Sequence, residues 1–496
     1  MSTPKKVLSS LLALLTVLPV LTACGSGSDT PADNAGQTQP SETTSAVETT
    51  TVDNSPGSAL PEYDGKGQKF VILCREEEPF NIEFAVESET GDVIEDAVYQ
   101  RNRYVEEKLN VDIAPAVMKG HSSEYDKFIQ TAVNSILAGD HAHHLVAGYT
   151  YRLAASSIDG NFTDWYTVPH VDFDQPWWAD GFMEAASINK HSFLATGDLS
   201  TSYLQYTFAL FFNKKLATDF NVGDLYQIVR DDEWTLAKMN EVAKDVSSDI
   251  NGDGDMDFND RWGFTVDRST GLDGLLFAFE VPLSDRDDDG IPYIIGVTEK
   301  YQRVIEAVYE LLFTSGIGFL DMKYDEHTTF RDDLTLFMPY RLYYANGFRE
   351  MESDFGMIPY PKWDENQDEY HTYYADGCSS FVIPVTVPDL EFVGIVTELM
   401  AAKSYEMIRP AVYDVALKTK IARDDESAEM LDIILDSMIF EFTNIYANTF
   451  GSRKSPAHSL RAKMYEPSTD IASFFAANES LHNEIMKNLI TAVTGK

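Results

Sequence analysis

The hydrophobic pattern is clearest between residues 68 and 149, where two periods alternate. Phe70-Val71-Ile72-Leu73-Cys74 is a short apolar run flanked by charge and predicts a buried strand. Ile94, Val98, Val105 and Leu109 fall at spacings of four and seven, on one face of a helix running from Asp92 to Leu109. Val111 and Ile113 then alternate with polar neighbours as a second strand. Phe128-Ile129, Ala132-Val133 and Ile136-Leu137 recur every four residues and predict a helix that Gly139 closes. Leu145-Val146-Ala147-Gly148 is a third strand. Strand, helix, strand, helix, strand is the pattern of an open α/β lobe, whose sites lie beyond the C-terminal ends of its strands.

Further along, Tyr206 to Phe212 is a β-rich run ending in Asn213-Lys214-Lys215, and Trp234-Thr235 opens a helix through Val246. Phe381 to Val387 is another strand bounded by prolines, and after Pro388 the chain reads as helices almost to Lys496, with Pro410 interrupting. No internal repeat appears. A chain that builds one α/β lobe, leaves it and ends in helices predicts two lobes with discontinuous crossings.

Composition narrows the partners. The 496 residues carry 38 Lys+Arg against 80 Asp+Glu, a net charge of −42, which disfavours nucleic acid because phosphates would repel it. With 44% hydrophobic residues and only three cysteines, the chain is neither a disordered protein nor a disulfide-stapled miniprotein. Cys74 and Cys378, in or beside strands, read as buried free thiols, with a disulfide between them as the alternative.

The start of the chain reads as an export signal over residues 1–23: Lys5 and Lys6, an uncharged run from Val7, then Leu21-Thr22-Ala23-Cys24. The last four residues resemble the lipobox of bacterial lipoproteins, which makes Cys24 the expected lipid anchor and places the protein on the extracytoplasmic face of the cell membrane. Residues 25–60 hold no Lys, Arg or aromatic residue and 13 Ser or Thr, so 24–61 is expected to be a flexible tether.

Two stretches suggest chemistry. Asp249, Asn251, Asp253, Asp255, Asp257 and Asp260 stand at positions 1, 3, 5, 7, 9 and 12 of one loop, with Gly254 at position 6. Calcium takes six to eight oxygens, and a glycine there allows the turn that wraps the ion, so a structural Ca2+ is expected. The segment resembles dockerin-type loops, which also end in Asp. The second stretch is aromatic: Tyr149 and Tyr151 follow the third strand, with Arg152 beside them and Trp177 and Trp178 further on. Aromatic faces stack on sugar rings while charged groups satisfy hydroxyls. There is no Gly-x-Ser-x-Gly elbow, His-Glu-x-x-His, Walker loop or Gly-x-Gly-x-x-Gly after a strand, so no catalytic signature is present. A surface glycan hydrolase and a calcium-stabilised adhesin are the competing readings.

Segments in order over 65–496 resemble the extracellular solute-binding lipoproteins of bacterial ABC importers, the group that includes maltose-binding protein. They are Asp96-Ala97-Val98-Tyr99-Gln100-Arg101-Asn102, Pro176-Trp177-Trp178, Phe211-Phe212-Asn213-Lys214-Lys215-Leu216, Trp234-Thr235, Asp249 to Asp260 with Arg261-Trp262-Gly263-Phe264, and Phe355-Gly356-Met357-Ile358-Pro359-Tyr360-Pro361-Lys362. The resemblance implies a two-lobed periplasmic-binding-protein-like fold with hinge crossings and a helical C-terminal part. It implies 62–200 plus 376–430 in the N-lobe and 201–375 plus 431–496 in the C-lobe. It also implies a non-enzymatic protein that closes on a mono- or oligosaccharide and delivers it to an ABC permease. By position, ligand contacts would come from Glu77, Glu78, Tyr149, Tyr151, Arg152, Asp198, Tyr340, Arg341 and Asp376.

Overall fold

The computed structural model describes residues 55–323, 325–375, 377–414 and 424–495. The expected signal segment, Cys24 and Asp376 lie outside them. Among the described residues thirteen strands follow in chain order: β1 Gln68–Arg75, β2 Val111–Met118, β3 Leu145–Tyr149, β4 Phe208–Asn213, β5 Trp262–Asp267, β6 Ser284–Arg286, β7 Pro292–Ile294, β8 Gly318–Asp321, β9 Thr335–Arg341, β10 Phe355–Ile358, β11 Thr372–Tyr373, β12 Ser379–Val382 and β13 Met438–Ile439.

The first sheet has the order β12-β3-β1-β2. β1 runs parallel to β2 and β3, and β12 returns antiparallel beside β3, with Ser379 opposite Tyr149. The helices that cover it follow the apolar periodicity. Helix Val93–Leu109 starts at Asp92, whose side chain accepts from the N–H of Ile94 and Glu95. Helix Tyr125–Ala138 ends at Gly139, whose φ of 64° is the left-handed closure foreseen for it. The second sheet is β10-β4-β9-β5-β8, and every residue of β4 and β5 is buried, as in strands covered on both faces. β5 is parallel to β8 and β9, so Asp267, Asp321 and Arg341 emerge together at one edge.

The chain passes between the sheets through 197–207 and returns between β11 and β12, where Gly377 and Cys378 lead into β12, and the two crossings are tied by one buried acid. Glu83 accepts from Ser200 Oγ at 2.8 Å, Ser202 N at 3.1 Å and Ser202 Oγ at 2.8 Å on the first, and from Ser379 Oγ at 2.6 Å after the second. The guanidinium of Arg101 grips the same turn, Nη2 donating to the Glu83 carbonyl at 2.7 Å.

Three expectations shift. The strand read at Phe381–Val387 is Ser379–Val382, because Pro384 lacks the N–H a ladder needs and makes only an isolated bridge to Phe162. Pro410 does not break the helical path; helix Leu390–Lys403 continues through π-type turns to 414. Residues 55–60, counted with the tether on composition, form hydrogen-bonded turns, with Leu60 packed on the core. Helix Asp425–Asp436 packs against β10, and the last helices touch both lobes: Tyr446 donates to the Ala186 carbonyl at 2.9 Å, while Phe475 stacks edge-on to Tyr301. Among the described residues no helix is long and apolar enough to cross a membrane.

Candidate functional site

The strand ends of both sheets converge on Tyr206, which sits on the first crossing. From the first lobe, Phe80 lies 5.0 Å from its ring. From the second, Tyr343 and Tyr344 lie at 6.0 and 6.5 Å, and the Arg341 guanidinium sits 5.3 Å from its centroid. Gly377, on the second crossing, faces the same place: a Cβ there would meet Tyr149 at 3.2 Å and Tyr206 at 3.6 Å, so the missing side chain leaves room between two rings.

On the first-lobe wall, Arg75 ends β1 and stacks over Phe80 at 3.4 Å and Tyr149 at 5.5 Å. His121 packs edge-on to Tyr149 at 5.3 Å. Burial first, then the positive charge of Arg75, holds the His121 imidazole below its ordinary value; Glu77 opposes and Arg341 adds to it. Glu77 turns its carboxylate onto the N–H groups of Gly120 and His121 at 3.1–3.2 Å. On the second-lobe wall, Arg341 Nη2 donates to Thr270 Oγ1 at 3.0 Å, and Tyr340 packs edge-on to Tyr344 at 4.9 Å. Burial, then the charge of Glu78 across the cleft, raises the Tyr343 hydroxyl to about 12. Behind this wall three acids meet: burial, then Asp267 and Asp321, raises Glu326 to about 8.

The structure thus brings Glu77, Glu78, Tyr149, Tyr340 and Arg341 to one cleft. It sends others elsewhere. Trp177 and Trp178 are 7% and 4% exposed, and both indole N–H groups donate to Glu398 at 2.9 Å, so they are core residues around a buried acid and not cleft walls. Asp198 is buried on the first crossing and bound to Arg409 at 2.8 Å, a brace and not a cleft wall. Tyr151 packs edge-on to Tyr149 at 4.7 Å, behind the cleft wall, whereas Arg152 turns to the helical layer, lying over Tyr125 at 3.6 Å and hydrogen-bonding Asn448. Arg75, Phe80, His121, Tyr206, Tyr343 and Tyr344 were missed. The signal for Arg75 was available, since a charge closing an apolar strand falls where such sites lie; nothing in the local pattern marks Tyr206.

The acidic loop is wound by its own side chains. Asp249 accepts from Gly252 N at 2.6 Å and Gly254 N at 2.9 Å, and Asn251 and Asp253 accept from the N–H two residues on. Asp260, fully buried, accepts from Ile250 N at 3.1 Å and Asp257 N at 2.9 Å. Gly254 has φ of 90°, the turn its position requires. Among the described residues no three acidic, His or Cys side chains are gathered as they stand into an ion's coordination shell. Cys74 and Cys378 are free and buried, and burial raises the Cys74 thiol to about 12.

Solved structures share this architecture over most of the chain. A cyclo/maltodextrin-binding protein complexed with maltotetraose matches with a TM-score of 0.59 at 13% identity, covering 86% of this chain and 98% of its own. An ABC substrate-binding protein from Listeria monocytogenes in complex with cycloalternan matches at 0.54 and 10% identity, covering 85% and 99%. A family 1 extracellular solute-binding protein from Bifidobacterium longum subsp. infantis matches at 0.53 and 14% identity, covering 84% and 100%. No protein-family model matches the sequence, and no curated protein does. At these identities the likeness is one of fold: two α/β lobes joined by crossings.

Proposed function

We propose that this chain, built on the two-lobed fold of solute-binding proteins, is the extracytoplasmic receptor of an ABC importer and captures a saccharide between its lobes without altering it. The observation that carries this reading is the Tyr206 cleft, in which rings from both lobes surround the ring of the first crossing and Gly377 of the second leaves room between them. Tyrosine rings offer flat faces to the C–H side of a sugar, and their hydroxyls meet its rim. Because contacts come from both lobes, ligand stabilises the closed state, and closure is the signal a permease reads. The cyclo/maltodextrin-binding and Listeria neighbours hold oligosaccharides, which supports the class. Lipidation at Cys24 would keep the receptor at the membrane beside its permease.

A saccharide panel tests this by thermal shift. Ligand at a hundred times its dissociation constant is expected to add about 2.7 kcal/mol, a rise in midpoint with the sugar recovered unchanged. Cleavage of the sugar would make the protein a hydrolase, and no shift across mono- and oligosaccharides would remove the carbohydrate reading.

We further propose that the 249–260 loop binds Ca2+. Support comes from the spacing of its oxygens and from a backbone already wound around them. Side chains would turn inward as the ion neutralises their mutual repulsion, which gives the ion a structural role. Calcium is expected to raise the unfolding midpoint and EDTA to lower it, with Asp249→Ala and Asp253→Ala removing the difference; equal midpoints in calcium and EDTA would refute the site.

A further inference from the structure

The cleft holds two guanidiniums in a chain whose net charge is −42. Arg75 is 1% exposed, and its Nη1 and Nη2 donate to uncharged acceptors, the Gly377 carbonyl at 3.0 Å and Ser379 Oγ at 2.8 Å. Arg341 donates to the Thr270 hydroxyl. Among the described residues neither arginine forms an ion pair, and the Nε of each is shielded from water with no acceptor. The nearby acids act on them without touching them: Glu83 faces Arg75 through the Ser379 hydroxyl and Asp267 faces Arg341 from the N–H groups of Ser269 and Gly271, while Glu77 holds the N–H groups of Gly120 and His121 and Glu78 faces the Tyr343 hydroxyl. Stacking on Phe80, Tyr206 and Phe208 offsets part of the desolvation of these cations but supplies no counter-charge. Both arginines also act on His121, one from each lobe, against the opposing charge of Glu77, so the two cations reach one place in the cleft. Buried charge is ordinarily paired in direct contact, and a cation in a ligand site that lacks a direct partner favours an anion.

Resting on the saccharide reading above, we infer that the captured sugar carries an anionic group, a carboxylate or a sulfate or phosphate ester, seated between Arg75 of the first lobe and Arg341 of the second. Planar guanidinium groups suit such oxygen anions, which can accept two N–H bonds at once. Charge in the ligand would then draw the lobes together, because each contributes one cation to the same group.

Isothermal titration of the full chain with hexuronic-acid disaccharides, each beside its neutral hexose twin and its methyl ester, tests this; 6-sulfated and 6-phosphorylated sugars form a second arm. At least one acidic member is expected to bind tenfold or more tighter than its uncharged twin. In Arg341→Gln that preference is expected to shrink to threefold or less, and the comparison of twins on the unmodified chain stands even if the variant folds poorly. Binding confined to the sulfate or phosphate esters keeps the inference and identifies the anion. Neutral sugars binding as tightly as acidic ones would overturn the charge inference and leave the saccharide receptor intact; silence across both series would overturn the receptor reading and this inference with it.

Discussion

Glu83→Ala is expected to destabilise the fold by roughly 3–5 kcal/mol, the cost of breaking a buried charged network by removing one member. The carboxylate accepts from Ser200, from the hydroxyl and the N–H of Ser202, and from Ser379, so truncation strands three hydroxyls and one amide in a dry interior. It also removes the negative charge that faces Arg75 and Arg101, both fully buried. Glu83→Gln keeps the shape but turns two donors among the serines, and about 1–3 kcal/mol of loss is expected. Urea unfolding of the two variants measures both values. A loss below about 1 kcal/mol in the alanine variant would mean that the crossings are held by something other than this acid.

The unfolding midpoint is expected to fall between pH 6.5 and pH 8, above the range in which the histidines His121, His143, His144, His458 and His482, all held below their ordinary value of 6.5 by burial, work in the opposite direction. Three buried acids set the direction. Burial, opposed by Arg409, raises Asp198 to about 6; burial, opposed by the indole N–H groups, raises Glu398 to about 7; Glu326 stands at about 8. In each case the folded chain keeps a proton that the unfolded chain releases near its ordinary value of 3.8 or 4.5. Between those values and the folded ones the native state binds more protons, so its stability declines as pH rises, each acid contributing a slope of at most about 1.4 kcal/mol for a tenfold fall in proton concentration. Repulsion among 80 acidic residues works in the same direction as they ionise. On the acid side the sign reverses: hydrogen bonds from Ser135 and Ser473 hold Asp140 and Asp470 below the ordinary value, so their contributions vanish only as pH falls below about 4. Differential scanning calorimetry from pH 4 to 9 reads the curve, and Glu398→Gln is expected to flatten its middle. A midpoint that rises steadily from pH 6.5 to pH 8 would contradict the ionisation states assigned to Glu398 and Glu326.

Much of the architecture was legible because local rules and global fold agree. The first lobe's strands and helices declare themselves through period and capping, as at Asp92 and Gly139. What periodicity does not carry is which residues distant in sequence share a surface. Trp177 and Trp178 look like binding aromatics until Glu398, some 220 residues away, is seen to take both indoles. Asp198 follows the same logic with Arg409. Tyr206 stands beside an apolar strand and reads as core, yet its neighbours come from three separate stretches of chain. Glu77, Tyr149 and Arg341 were reachable because a strand end is a local feature, whereas the cleft they share is not.

The antiparallel pairing of β12 with β3 has a consequence for assembly. Thr150 and Ser380 meet across 230 residues, so the first lobe's sheet has an uncapped edge until nearly all of the second lobe has been made. Loop closure on that scale is slow, and an edge strand left open meanwhile is a template for mispairing. The two lobes therefore cannot mature as independent beads on a string: the earlier one waits for the later, and a nascent chain stalled before residue 379 would present a half-finished sheet to any chaperone that meets it.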